Sequence, residues 1–232
     1  MKNKNNFQRY EQKYLLDAKQ IEGLVGLIEK ELTEDKYPSS QIASLYFDTS
    51  DFRLIRASID AGDYKEKLRV RRYFSDKGAS PYFVEMKRKY HGLVYKRRRE
   101  IEDLEQALEE NSKSQIDKEL SYFFSFYPDL KPSALISYHR EAYVSKEDKD
   151  LRKTLDRNIR ARFSQLYDME DWSGRPVIDS SMAIMEVKSN MGYPRWFLDY
   201  LAENEVHKTS LYNGLMILRD KSLIIRINPT DY

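Results

Sequence analysis

Residues 65–73 read KEKLRVRRY. The alternation marks a β-strand, in which every second side chain points to the same face. Lys65, Lys67, Arg69 and Arg71 therefore share one face, followed by Tyr73, while Glu66, Leu68, Val70 and Arg72 share the other. Positive charges in file repel one another and call for an anion along them. The same division recurs. Phe83, Glu85, Lys87 and Lys89 oppose Val84, Met86 and Arg88, and Lys96 and Arg98 lie with Val94. Arg140 lies with Tyr138 and Ala142, and Arg152, Thr154 and Asp156 oppose Leu151 and Leu155. Ile184, Glu186 and Lys188 oppose Ala183, Met185 and Val187, and Arg9, Glu11 and Lys13 alternate with Tyr10, Gln12 and Tyr14.

A single strand of this kind is ordinary, with its apolar face in the core and its charged face in water. Taken together the faces are not ordinary, because a solvated face mixes signs across its strands, whereas Lys and Arg dominate 65–73 and 93–98. Phosphate chains suit such a lining: arginine grips phosphate oxygens in pairs and lysine acts as a compact point charge. Glu11, Glu85 and Glu186, set among the cations, read either as oxygen ligands for Mg²⁺ or Mn²⁺ or as ion-pair partners of their neighbours.

The elements that position these residues follow from periodicity and breakers. Strands are expected over 7–16, 41–48, 64–74, 81–90, 93–100, 134–145, 150–159 and 176–189, with His91-Gly92 joining a hairpin. Helices are expected over 18–33, capped by Asp17, over 52–60, capped from Thr49-Ser50-Asp51, and over 102–127, broken near Asn111. Two more are expected over 194–203 and 209–221, and 165–175 reads as an acidic, irregular stretch. The fold class expected is α+β: a closed, antiparallel, eight-stranded β-barrel with helices packed outside, in one domain over 1–232. Its charged faces would line the lumen, and its apolar faces would lie beneath helices 18–33 and 102–127.

Bulk composition narrows the functions. Forty Lys and Arg against 38 Asp and Glu leave a net charge of +2, too little for a general nucleic-acid binder, so an anion site must be local. Tyr73, Tyr90 and Tyr95 are the features that keep an RNA- or DNA-binding barrel in view. The absence of cysteine excludes disulfides, thiolate metal sites and a thiol nucleophile, and it fits a reducing, cytoplasmic setting. No apolar run approaches the roughly 20 residues of a membrane span. There is no Walker A loop, no dinucleotide glycine fingerprint and no zinc spacing.

In order along the chain, RYEQKY (9–14), SLYFDT (44–49), KLRVRRY (67–73), FVEMKRK (83–89), YKRRR (95–99), YHREAY (138–143), RKTLDRNI (152–159) and MEVKS (185–189) give a pattern that resembles the VTC domain. That is the polyphosphate polymerase domain of the CYTH, or triphosphate tunnel metalloenzyme, superfamily, and the resemblance spans about 7–220. It implies a closed β-tunnel with a basic lumen, ATP and inorganic polyphosphate as partners, Mn²⁺ or Mg²⁺ as cofactor, and transfer of the γ-phosphoryl group of ATP to a growing chain. It leaves room for a membrane-protein partner. By motif it implies phosphate-binding roles for Lys13, Arg69, Arg71, Lys87, Lys96, Arg140, Arg152 and Lys188. It implies a metal-binding role for Glu186, with Glu85 and Glu11 as helpers. Two departures stand out. Arg9 fills the first slot of the superfamily's Glu-x-Glu-x-Lys opening, a form shared with the VTC branch. Ser210-Leu211-Tyr212 stands where the family has Ser-Lys-Tyr, with Lys208 three residues earlier. Alternatives are hydrolysis of triphosphate or tripolyphosphate, and a module that binds polyphosphate or nucleotide without catalysis.

Overall fold

The structure, a computed structural model, describes residues 10–60, 63–91, 93–104 and 115–209. Its elements are β1 (Tyr10–Leu16), α1 (Ala18–Glu31), β2 (Leu32–Asp48), α2 (Arg53–Ile59), β3 (Tyr64–Ser75), β4 (Gly78–Ala79) and β5 (Tyr82–Tyr90). There follow β6 (Leu93–Ile101), α3 (Gln115–Phe126), β7 (Lys131–Ser145), β8 (Arg152–Arg162), β9 (Arg175–Pro176), β10 (Ala183–Ser189) and α4 (Arg195–Glu203). The fold is a strand-rich, mostly antiparallel α+β arrangement with four helices among the described residues. The hydrogen-bonded strand order is β1-β10-β8-β7-β2-β3-β5-β6, with β4 on β3 and β9 on β8.

The chain divides into two units. Among the described residues the first comprises 10–40, Tyr138–Ile159 and 178–209, and the second comprises those within Gln41–Ser137 and Arg160–Val177.

Each unit has its own core, and in each the apolar strand faces are covered by helix. In the first unit Tyr14 and Leu16 of β1, Leu155 of β8, and Ala183, Met185 and Val187 of β10 pack against Ile21 and Leu24 of α1 and Phe197 and Tyr200 of α4. In the second, Leu45 and Phe47 of β2, Leu68 and Val70 of β3, and Val84 and Met86 of β5 pack with Leu120 and Phe123 of α3. A buried leucine or phenylalanine contributes about 1.5–3 kcal/mol relative to exposure, so these stripes fix which way each strand faces. The opposite face in both units carries the charges.

Local signals set the helix starts. Asp17 caps α1: its carboxylate accepts from Gln20 N at 2.8 Å, and Gln20 Oε1 accepts from Asp17 N at 3.0 Å, a capping box. At α2 one of the expected caps, Thr49, is joined by a residue outside the expected Thr-Ser-Asp. Buried Asp48 accepts from Leu54 N and Ile55 N, and Thr49 Oγ1 accepts from Arg53 N, while Phe52 is held at φ 62°. The carboxylate reaches the helix from the end of β2, so the chain can enter α2 through a left-handed residue.

Several boundaries differ from expectation. Strand β2 begins at Leu32, directly after α1, and runs 17 residues. The strand expected over 176–189 is regular only from Ala183, preceded by turns in which Asp179 Oδ1 accepts from Ser181. Two short strands, β4 and β9, bring the number of described strands to ten. Past Thr209 the expected helix over 209–221 lies outside the described residues, as does the break near Asn111.

Candidate functional site

In the second unit the charged face forms a set of rungs across β2, β3, β5 and β6. Register places Ser44 beside Arg71, Tyr46 beside Arg69, Arg71 beside Phe83, Arg69 beside Glu85, and Lys67 beside Lys87. It continues with Glu85 beside Arg98 and Lys87 beside Lys96. Lys67, Lys87 and Lys96 thus lie side by side on three neighbouring strands, with directly opposite Cβ atoms about 4.5–5.5 Å apart in such pairs. Lys65 and Lys89 form the next rung.

Glu85 is the anionic centre of this unit and is only 2% exposed. Its Oε2 accepts from Arg69 Nη2 at 2.6 Å and from Arg69 Nε at 2.9 Å. Its Oε1 lies 3.0 Å from Lys96 Nζ and 3.8 Å from Arg98 Nε. Burial pushes the carboxyl upward, but Arg69, Arg71 and Lys96 outweigh it and hold the group down to about 2. Arg69 also donates to Tyr46 Oη at 3.0 Å, and the buried Arg71 donates to Ser44 Oγ at 3.1 Å.

The first unit repeats the motif with other partners. Glu186 Oε2 lies 3.2 Å from Lys13 Nζ, and its Oε1 is paired with Lys188 Nζ. Burial opposes the charge on Glu186, but Lys13, Lys188 and Arg140 outweigh it and keep its carboxyl well below the usual range. Arg140 is clamped by a bidentate pair to Asp156, Nε to Oδ1 and Nη2 to Oδ2, both at 2.6 Å. Burial works against that guanidinium's charge, and Tyr138, Asp156 and Glu186 more than restore it. Arg152 lies farther out, 53% exposed and 3.7 Å from Asp35. Glu11 is beside Lys188 in register and diagonal to Glu186 on the same face of the β1–β10 pair.

Every residue expected at the site and described here therefore lies on the charged face of its own unit. Arg69, Arg71, Lys87, Lys96 and Glu85 do so in the second, and Lys13, Glu11, Arg140, Arg152, Glu186 and Lys188 in the first. Leu211 lies outside the described residues. Asp156, Tyr46 and Ser44 were not expected at the site. Asp156 shares the parity of Arg152, but its bidentate hold on Arg140 depends on the β7 and β8 backbones that carry the two side chains. The parity rule also missed Lys153. It sits on the apolar face, 2% exposed, with Nζ 4.1 Å from the Trp196 ring centre and 3.5 Å from that of Phe197.

Among the described residues no three His, Cys, Asp or Glu are grouped to hold a metal ion. No described helix is long and apolar enough to cross a membrane.

Comparison with known proteins places this geometry. No curated protein matches the sequence. Among solved structures, a putative adenylate cyclase from Bacillus halodurans superposes with a TM-score of 0.53 at 19% identity, covering 91% of this chain and 96% of that one. A putative adenylyl cyclase from Hippeastrum, HpAC1, described as having a dominant triphosphatase activity, superposes with a TM-score of 0.55 at 13% identity, covering 96% and 98%. These likenesses concern the fold. The sequence itself matches the VTC domain over residues 8–217, nearly its whole length, so the chain belongs to the VTC domain family.

Proposed function

We propose that this chain is an ATP-dependent polyphosphate polymerase, working in a closed basic tunnel with Mn²⁺ or Mg²⁺. The observation that supports this most directly is the rung of Lys67, Lys87 and Lys96. Ammonium groups side by side on three neighbouring strands offer an anionic polymer a row of compact point charges to bind. Family membership supports the phosphate assignment.

In this reading the arginines and lysines hold the triphosphate and align its γ-phosphorus. A terminal oxygen of the polyphosphate chain forms the new P–O bond as the bond from the γ-phosphorus to the β–γ bridging oxygen breaks, releasing ADP. The attacking phosphate is already ionised, so no general base is needed; positioning and charge neutralisation supply the rate. In the second unit Arg69, held by Glu85, acts as a fixed donor with Arg71, Lys87 and Lys96 for further phosphate contacts; in the first, Arg140, held by Asp156, does so with Lys13, Arg152 and Lys188. Mg²⁺ and Mn²⁺ at such sites take one or two carboxylates and complete their shell with phosphate oxygens. Glu186, kept ionised and diagonal to Glu11, fits that pattern. Glu85, whose Oε2 accepts from both Nε and Nη2 of the Arg69 guanidinium, fits an ion-pair centre instead. When bound, the metal would neutralise charge on the β- and γ-phosphoryl oxygens.

Incubation with ATP and Mn²⁺, read by a gel for long phosphate chains and by a phosphate assay, tests the proposal. Chains with ADP are expected; free phosphate without chains would point to hydrolysis. A second reading, binding without transfer, is favoured by Leu211, where the family places a lysine. An inactive wild type that gains chain synthesis on Leu211→Lys would establish it.

A further inference from the structure

The charged strip of the second unit is polar along its length. One end is lysine: Lys65 with Lys89, then Lys67, Lys87 and Lys96. The middle is the Arg69–Glu85–Arg98 rung. The far end is aromatic. Tyr73 and Phe83 meet edge to face with ring centres 6.0 Å apart, both half-buried on the face that carries the charges. Two guanidiniums frame them. Arg98 stacks on Phe83 at 3.4 Å and lies 5.4 Å from Tyr73, and Arg71 lies 5.8 Å from Tyr73.

We infer that this aromatic end is a nucleobase subsite, which orients a nucleoside triphosphate with its base at Tyr73 and Phe83 and its phosphates running toward the lysines. The inference rests on the triphosphate reading above and adds a direction to it. A phosphate chain alone has no use for rings, since they contribute no charge. A nucleotide is itself polar, with a flat apolar base at one end and only anionic groups at the other. From Tyr73 to Arg69 the strand advances about 13 Å at roughly 3.3 Å per residue. That separation places a base and its triphosphate on successive parts of one strip. Base–aromatic stacking tolerates any base, and guanidinium planes extend the stacking surface. Selection would therefore fall between nucleoside triphosphates and inorganic tripolyphosphate rather than among bases.

Titration calorimetry with ATP and with inorganic tripolyphosphate tests it on the wild type, Tyr73→Ala, Phe83→Ala and Tyr73→Phe. Tyr73→Ala and Phe83→Ala are expected to weaken ATP about tenfold and leave tripolyphosphate unchanged, and Tyr73→Phe to keep ATP affinity. Equal loss for both ligands, or no loss for either, overturns the subsite. A wild type that binds neither ligand removes the triphosphate reading itself. One measurement needs no variant: the fluorescence of a 2-aminopurine nucleoside triphosphate is expected to fall on binding the wild type and recover when tripolyphosphate displaces it. Binding with unchanged fluorescence overturns the stacked base.

Discussion

Glu85 in the second unit and Glu186 in the first are the same device built with different cations. Both are buried carboxylates on the charged face of a strand, and neighbouring positive groups hold both ionised. Around Glu85 the nearest partner is an arginine whose Nε and Nη2 both reach one oxygen, itself tied to Tyr46. Around Glu186 the direct partners are lysines, one on each oxygen, while the nearby arginine is committed to Asp156. A planar guanidinium in a fixed fork is costly to detach, whereas an ammonium on a four-carbon stem can swing to another anion. Glu85 therefore reads as architecture, and Glu186 as a carboxylate whose lysines can be lent to a phosphate.

The largest expected effect separates the two by activity. Glu186→Gln should slow chain synthesis about 100-fold or more in single-turnover assays of the folded enzyme. A slow but equally slowed Glu85→Gln enzyme of normal stability would erase the distinction. Stability is the mirror measurement. Glu85→Gln leaves Arg69 and Arg71 short of their counter-charge and should lower the unfolding free energy by about 3 kcal/mol in urea titrations.

Acid sharpens the same contrast. The Glu85 carboxyl is held down to about 2, below an unfolded value of about 4.3. Its contribution is complete above the unfolded value and is lost as pH falls through the folded one. Melting temperatures of the wild type between roughly pH 4.3 and 2 should fall faster than those of Glu85→Gln, and parallel curves would show that the carboxylate contributes nothing. A lysine buried on the apolar face supplies a smaller test. Lys153 is buried against Trp196 and Phe197; burial holds its ammonium well below the usual value, only partly offset by Glu31. Lys153→Met should raise the unfolding free energy by about 1–3 kcal/mol. The smallest effect belongs to Lys96, which is half exposed. Lys96→Met should change stability by under about 1 kcal/mol while weakening tripolyphosphate binding.

Much of this was legible in the residue order. Alternation in 65–73, 83–89 and 182–188 named the charged faces, and the structure pairs those strands in the register that alternation requires. Asp17 announced the start of α1, and the structure adds Gln20 three residues on as the other half of a capping box. The misses share a cause. Asp48 caps α2 from the preceding strand, and Glu66, on the apolar side of β3, is satisfied by Arg88 at 2.6 Å and Tyr127 at 2.9 Å. Asp48 caps across six and seven residues of chain. Glu66 lies 22 and 61 residues from its partners, beyond any local pattern.

By itself, the order of residues determined strand parity, the basic character of one face and membership of the VTC domain family, because a two-residue period and a run of motifs are local properties of the chain. Only the tertiary structure decided which cation each carboxylate holds, that three lysines share one rung, and that Tyr73 meets Phe83 beside two arginines. Those are facts of register between strands, and register is set by the packing of whole apolar faces under α1, α3 and α4 rather than by any single segment.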